Sequence, residues 1–214
     1  IALIKQLFGG LGQNFMNPAL GARVILVVAW AKHMTAWTEP LVDAIASATP
    51  LSLLKSADGG YTYSYLDMFI GKIPGCIGET SALAILLGFL YLLIRKVISW
   101  HIPVIYTGTV AVLTWILGPD GIFTGDPLYH VLAGGLLLGA VFMATDYVTS
   151  PMTRKGQIIY ALGCGVLTTL FRLYGNMPEG VSFAIVLMNV VTPLIDRHTI
   201  PVAFGGEKRV EQHN

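Results

Sequence analysis

The stretch Asp43-Ala44-Ile45-Ala46-Ser47-Ala48-Thr49-Pro50-Leu51 sets two hydroxyls and a carboxylate on a small-residue backbone inside a very apolar chain. Pro50 has no N–H to donate and fits the first position of a helix. Thr49 then becomes the N-cap of the segment Pro50-Leu51-Ser52-Leu53-Leu54-Lys55. The start of a helix offers free N–H groups and a partial positive charge, both of which suit a phosphate. A hydroxyl at that place is positioned to carry a phosphate ester. The commoner use of a threonine there is simply to cap a short helix.

Other polar residues stand out against the apolar background. Glu79 follows Gly78 at the entrance of an apolar run, where a carboxylate suits the positive end of a helix. Asp146 and Thr145 sit at the far end of the run 127–147. A carboxylate near membrane depth is costly without a partner or a role, which makes Asp146 a candidate for ion coupling; the alternative is an interfacial pairing with Arg154 or Lys155. Asn17 and Asn189 lie inside or beside apolar runs and are suited to joining helices. His130 reads as a satisfied interfacial histidine rather than a haem ligand. Cys76 lies in a Pro/Gly loop and Cys164 in mid-helix, so the two cysteines read as packing residues. Two thiols are too few for the usual iron–sulfur cluster. No metal site is read.

These residues must be positioned by membrane helices. Hydrophobic residues make up 54% of the 214 residues and charged residues 12%, with mean hydropathy +0.68. Soluble domains carry about 25% charged residues. The fold class expected is an all-α integral membrane protein, a polytopic helix bundle forming one membrane domain over 1–214. No basic patch with interleaved aromatics is present, so nucleic acid is excluded as a partner. Spanning helices of about 20 residues give six segments at about 18–37, 77–94, 101–118, 127–147, 156–173 and 179–196. Several are short and glycine-interrupted, which is tolerated where neighbours or a cavity satisfy the backbone. The Gly135/Gly139 pair suggests close helix packing.

Charge asymmetry orients the bundle. With Arg95 and Lys96 cytoplasmic, alternation also puts Lys5, Arg154, Lys155, Arg197, Lys208 and Arg209 inside. Glu39, Asp43, Asp58, Asp67, Asp120, Asp126 and Glu179 then lie outside, and Thr49 with them. The region 38–78 becomes an outer-side loop carrying the Thr49 segment. Within it Asp58-Gly59-Gly60 signals a turn. Tyr61, Tyr63 and Tyr65 alternate as an interface belt, and Ser64 to Ile70 reads as a half-helix.

The Asp43–Leu51 segment resembles the flavin-attachment segment of the RnfD component of the Rnf electron-transport complexes and of its NqrB homologue in the sodium-translocating NADH:quinone reductase. Further motifs carry the resemblance over nearly the whole chain: Phe8-Gly9-Gly10-Leu11-Gly12-Gln13-Asn14 with Asn17-Pro18-Ala19, Ile73-Pro74-Gly75-Cys76-Ile77-Gly78-Glu79-Thr80-Ser81, Phe142-Met143-Ala144-Thr145-Asp146 with Thr149-Ser150-Pro151, Pro178-Glu179-Gly180 and Leu187-Met188-Asn189. The resemblance implies FMN joined through its phosphate to Thr49, with Asp43 as the preceding acidic residue. Ala46 and Ser47 stand where the family commonly has Ser/Thr and Gly. It further implies Ser47, Glu79 and Asn17 as flavin-contacting residues, a second, non-covalent riboflavin, and a flavin transferase working on the outer face. The implied protein is one component of an inner-membrane complex of bacteria or archaea. Iron–sulfur and flavin partner subunits pass electrons between ferredoxin and NAD⁺ and couple them to Na⁺ or H⁺ export. The chain begins at Ile1, and the resemblance implies further helices upstream, completing an inverted-repeat fold of about ten helices. The Ala-Thr-Pro-Leu and Glu-Thr-Ser-Ala runs are closer to the Rnf version than to the quinone reductase. A transporter or channel without redox chemistry is the rival class, since broken helices, paired glycines and sparse carboxylates suit it equally.

Overall fold

The computed structural model describes residues 1–10, 12–38, 46–55, 63–118, 121–175 and 180–201. Ten α-helices follow in chain order: α1 (Pro18–Ala29), α2 (Ala31–Met34), α3 (Pro50–Lys55), α4 (Tyr65–Ile70), α5 (Ala82–Ile94), α6 (His101–Ile116), α7 (Pro127–Leu132), α8 (Leu136–Leu138), α9 (Arg154–Leu173) and α10 (Val181–Thr199). A π-helical turn, Gly139–Met143, continues α8. The all-α expectation needs one amendment. Two antiparallel ladders of two residues each are present, β1 (Trp37–Thr38) with β2 (Ala46–Ser47) and β3 (Leu117–Gly118) with β4 (Gly121–Ile122).

Helix starts follow local chemistry. Asn17, Ser64, Ser81, Asp126 and Thr153 each accept a main-chain N–H at the head of α1, α4, α5, α7 and α9. Pro18 and Pro127 occupy first helical positions, where a missing N–H costs nothing.

Two helices, α9 with 20 residues and α10 with 19, are long and apolar enough to cross a membrane. They coincide with the expected segments 156–173 and 179–196. Helix α6 matches the expected 101–118 but has 16 residues. The other three expected spans are shortened or broken. The first stops at Ala29, because Trp30 leaves helical geometry with φ −134° and ψ 50°. The second starts only at Ala82, after Gly78 at φ +87° and the Ser81 cap. The run 127–147 is broken at Ala133–Gly135, where Gly134 adopts φ +69°, a conformation that costs glycine little.

The main core lies between α1, α6, α9 and α10, around Leu20, Ile102, Tyr106, Val110, Tyr160, Ala161, Cys164, Ile185 and Met188. One buried face of α9 carries a polar row at intervals of four: Tyr160, Cys164, Thr168 and Arg172. Three of the four have a partner on another element. Thr168 shares a hydrogen bond of 2.6 Å with Tyr106 of α6. The Tyr160 hydroxyl meets the Asn189 amide of α10 at 2.7 Å, and Cys164, next in the row, is fully buried. With its amide nitrogen toward Tyr160, Asn189 also donates to Ile185 O at 3.3 Å and accepts the Asn17 N–H at 3.1 Å. Asn17 and Asn189 thus do join helices, tying α10 and α9 to the start of α1.

Asn189→Val keeps the volume of this knot and removes its hydrogen bonds. It strands the Tyr160 hydroxyl and the Asn17 N–H, which should cost roughly 1–3 kcal/mol. The expected readout is a lower thermal midpoint in detergent; an unchanged midpoint would show the knot to be energetically idle.

Candidate functional site

Thr49 caps α3 as the sequence suggests. Its Oγ1 accepts the Ser52 N–H at 3.3 Å, and the Ser52 hydroxyl returns a bond to Thr49 O at 2.8 Å. Thr49 is only 5% exposed. What buries the segment is the break in the helix run 127–147. Leu51 packs in a cluster with Met68, Ile73, Tyr129 and Ala133, with Tyr63 at its edge. The Tyr129 hydroxyl donates to Pro50 O at 3.3 Å. A Cβ at Gly134 would stand 2.7 Å from Leu51 Cδ1 and 3.3 Å from Arg172 Nη2, so only a glycine lets α3 and Arg172 meet at this point.

Arg172, 2% exposed, closes the break from the α9 side. Its Nη2 donates to Ala133 O at 3.1 Å and its Nη1 to His130 O. These carbonyls belong to the end of α7, where the helix ladder can no longer use them. A planar fork with several donors suits two such acceptors, and a cation suits a helix C-terminus. Lys55, the last residue of α3, does the same for α9, donating to Phe171 O at 3.4 Å and to Gly175 O. Burial, and then the neighbouring Arg172 charge, hold the Lys55 amine below the ordinary lysine range. Tyr65 of α4 donates to Asp126, the cap of α7. The Thr49 segment is therefore tied to both halves of the site, α7 and α9.

The opposite side of the break receives Glu79. A Cβ at Gly135 would lie 3.0 Å from Glu79 Oε2. Arg23 Nη2 of α1 stands 3.6 Å from the same oxygen, with side-chain exposures of 21% for Arg23 and 3% for Glu79. The pair borders a cavity of about 10 Å³, completed by Gly135, Leu138, Met143, Val181 and Ser182. Gly139 of the expected glycine pair meets a different element, α10, where a Cβ would stand 2.4 Å from Val181.

The other expected site residues are placed as follows. Asp43 lies outside the described residues, as do Asp58, Gly59, Gly60 and Tyr61. Ser47 pairs through its main chain with Trp37. Asn17 spends its side chain on the Ala19 and Leu20 N–H groups, at 3.0 and 3.3 Å. Asp146 accepts the Thr149 hydroxyl at 3.0 Å; among the described residues it forms no ion pair with Arg154 or Lys155. His130 is buried, and its Nδ1 has no hydrogen-bond partner among the described residues, so the expected satisfied interfacial histidine is corrected. Its carbonyl, not its ring, is what the site uses. Cys76 and Cys164 form no disulfide. Sequence reasoning gave a role to neither Arg172 nor Arg23. The available signal was the same for both: an arginine inside an apolar run needs a partner.

The chain belongs to the NQR2, RnfD, RnfE family, which it matches over residues 1–205. It is 53% identical over 211 residues to the D component of the Na(+)-translocating ferredoxin:NAD(+) oxidoreductase complex of Acetobacterium woodii, covering 97% of this chain and 64% of that protein. It is 54% identical over 217 residues to the D component of the proton-translocating ferredoxin:NAD(+) oxidoreductase complex of Clostridium ljungdahlii, covering 96% and 66%. The D component of the ion-translocating oxidoreductase complex of Stutzerimonas stutzeri is 40% identical over 246 residues, covering 98% and 68%. The chain thus spans about two-thirds of the length of the relatives it matches.

Arg172→Met removes the clamp and leaves the His130 and Ala133 carbonyls without it. The expected cost is about 1–3 kcal/mol, that of leaving buried acceptors unsatisfied. Limited proteolysis should then cut within 46–55 far faster than in the parent. Arg172→Lys should restore protection only in part, since one ammonium cannot serve two diverging carbonyls as a fork does.

Proposed function

We propose that this chain is the flavin-carrying membrane subunit of an ion-translocating ferredoxin:NAD⁺ oxidoreductase complex, with FMN esterified through its phosphate to Thr49. The observation that carries the proposal is the Thr49 hydroxyl itself. It sits at the start of α3, one residue before a proline, held by a main-chain N–H, on a segment docked against a broken helix.

The residues present fit the phosphoryl end of such a group. Thr49 Oγ1 takes the Ser52 N–H, a donor that would stay beside an ester oxygen there, while Lys55 and Arg172, held on main-chain carbonyls, would add positive charge to the segment's surroundings. Asp43 and Ser47 flank the acceptor in sequence. Bound there, a flavin supplies uptake and release of electrons; the chain supplies attachment, position and field. Thr49 as a residue is 5% exposed with α3 docked, which leaves a transferase little access to it. Attachment therefore precedes docking through Leu51 and Lys55.

In this proposal the chain is a multi-pass protein of the cell membrane with Thr49 on the outer face, part of a larger inverted-repeat bundle. The exposed apolar faces support it, notably Leu83, Leu86, Leu87, Leu90 and Ile94 along α5. Electrons reach and leave the flavin through partner subunits carrying iron–sulfur and flavin groups. The two relatives above 50% identity are named for different ions, Na⁺ and protons, so the coupling ion is left open between them. The same names favour the ferredoxin:NAD⁺ complex over the quinone reductase. A transporter without redox chemistry is the second reading, favoured by the broken helix alone.

Thr49→Ala separates the two. In the parent, the band of this protein should fluoresce under ultraviolet light after denaturing electrophoresis, and its mass should exceed that of the polypeptide by one FMN less water. Thr49→Ala should lose both while staying in the membrane. A fluorescent Thr49→Ala band would reject the assignment. For Asp146, proposed to sense or relay the ion, Asp146→Asn should lower ion transport by inverted vesicles more than it lowers flavin content; unchanged transport with normal assembly would remove it from the coupling path.

A further inference from the structure

The Glu79 side of the helix break holds a feature that flavin attachment does not use. Glu79 is a carboxylate with 3% of its side chain exposed. It faces a cavity of about 10 Å³, a volume on the scale of one water molecule. Among the described residues lining that cavity, Arg23 from α1 and Glu79 are the two that carry charge. The break and π-turn contribute Gly135, Leu138 and Met143, and α10 contributes Val181 and the hydroxyl-bearing Ser182. Cys76, whose carbonyl accepts the Glu79 N–H at 3.0 Å, belongs to the same turn.

We propose that Glu79 is a binding site for a small monovalent cation, and that Arg23 is a built-in cation that holds the same carboxylate until that ion displaces it. Three observations combine. The Arg23–Glu79 contact of 3.6 Å is longer than the about 2.7–2.9 Å of a charge-assisted hydrogen bond. Enclosing the Glu79 carboxylate costs several kcal/mol, which a contact of this length with a partly exposed guanidinium offsets only in part. The two partners are also unequal. The carboxylate is enclosed, whereas the guanidinium, 21% exposed, has a way out. Finally, the backbone makes room for the carboxylate at this point, since any Cβ at Gly135 would stand 3.0 Å from Oε2. A carboxylate beside a hydroxyl and a discontinuous helix suits a hard cation. Na⁺ and a proton share the relevant chemistry, one positive charge neutralising the carboxylate: Na⁺ would occupy the cavity, and a proton would sit on a carboxylate oxygen.

The site rests on the reading of the complex as an ion translocator, not on the flavin. Its test is therefore infrared difference spectroscopy of the purified complex, which reads the carboxylate directly. One arm adds NaCl against choline chloride at fixed pH; the other lowers pH without Na⁺. In the parent, a carboxylate band should move in one arm, which names the ion. Glu79→Gln should abolish that band while the ultraviolet-fluorescent flavin band on gels persists. Loss of fluorescence in every preparation would count against Thr49 and leave this result standing. Arg23→Gln should lower the half-saturating cation concentration about tenfold or more, the effect of removing an adjacent charge that competes for the carboxylate. A parent spectrum with no Glu79-dependent band in either arm would overturn the proposal, as would an unchanged half-saturation in Arg23→Gln. If Arg23→Gln does not assemble, Arg23→Lys replaces it: a shifted half-saturation supports the site and an unchanged one overturns it. If Glu79→Gln does not assemble, Glu79→Asp replaces it: a displaced band supports the site and an unaltered response overturns it.

Discussion

The contact on which the rest of this structure depends is that of the Arg172 guanidinium with the carbonyls of His130 and Ala133. A helix that stops inside an apolar bundle leaves its last carbonyls without donors, and neither lipid nor aliphatic side chains can supply them. One buried fork supplies them here. Because the acceptors sit on α7 and the donor on α9, the same contact fixes where the break lies relative to the longest helix. The Thr49 segment is then laid over the repaired break, with Leu51 against Gly134 and Lys55 on the α9 carboxyl end.

The break also brings two kinds of chemistry within one residue of each other. Gly134 faces Leu51 and Arg172; Gly135 faces Glu79 and, through it, Arg23. A change in the charge held above the break and a change in the charge held below it act on adjacent peptide units. That is a short mechanical path, with no chain of intermediate side chains needed to connect them.

Some of this was legible from residue types. Thr49-Pro50 announces a capped helix start, and the hydroxyl takes the Ser52 N–H as such a start requires. Ser64 and Tyr65–Ile70 form the expected half-helix. Helices α6, α9 and α10 fall on their apolar runs within a few residues. The break at 133–135 was not legible, because hydropathy measures how apolar a stretch is and not whether its backbone is continuous. A glycine at φ +69° looks in sequence like any packing glycine. Arg172 was missed for a related reason: its partners are main-chain carbonyls, which carry no sequence signature. Glu79 was read both as a helix-start carboxylate and as a flavin-contacting group; in the structure Ser81 caps the helix and Glu79 turns inward to Arg23.

The polar row on α9 has a consequence for motion. Tyr160, Cys164, Thr168 and Arg172 recur every four residues, so they share one face of the helix, and all but Cys164 meet partners on α6, α7 and α10. Turning α9 about its own axis by even a quarter revolution would strand Tyr160, Thr168 and Arg172 at once, each at a cost of about 1–3 kcal/mol. Sliding it by a turn would mismatch every partner together. Helix α9 is accordingly keyed like a shaft in a slot, and any conformational cycle must be carried by the walls around it.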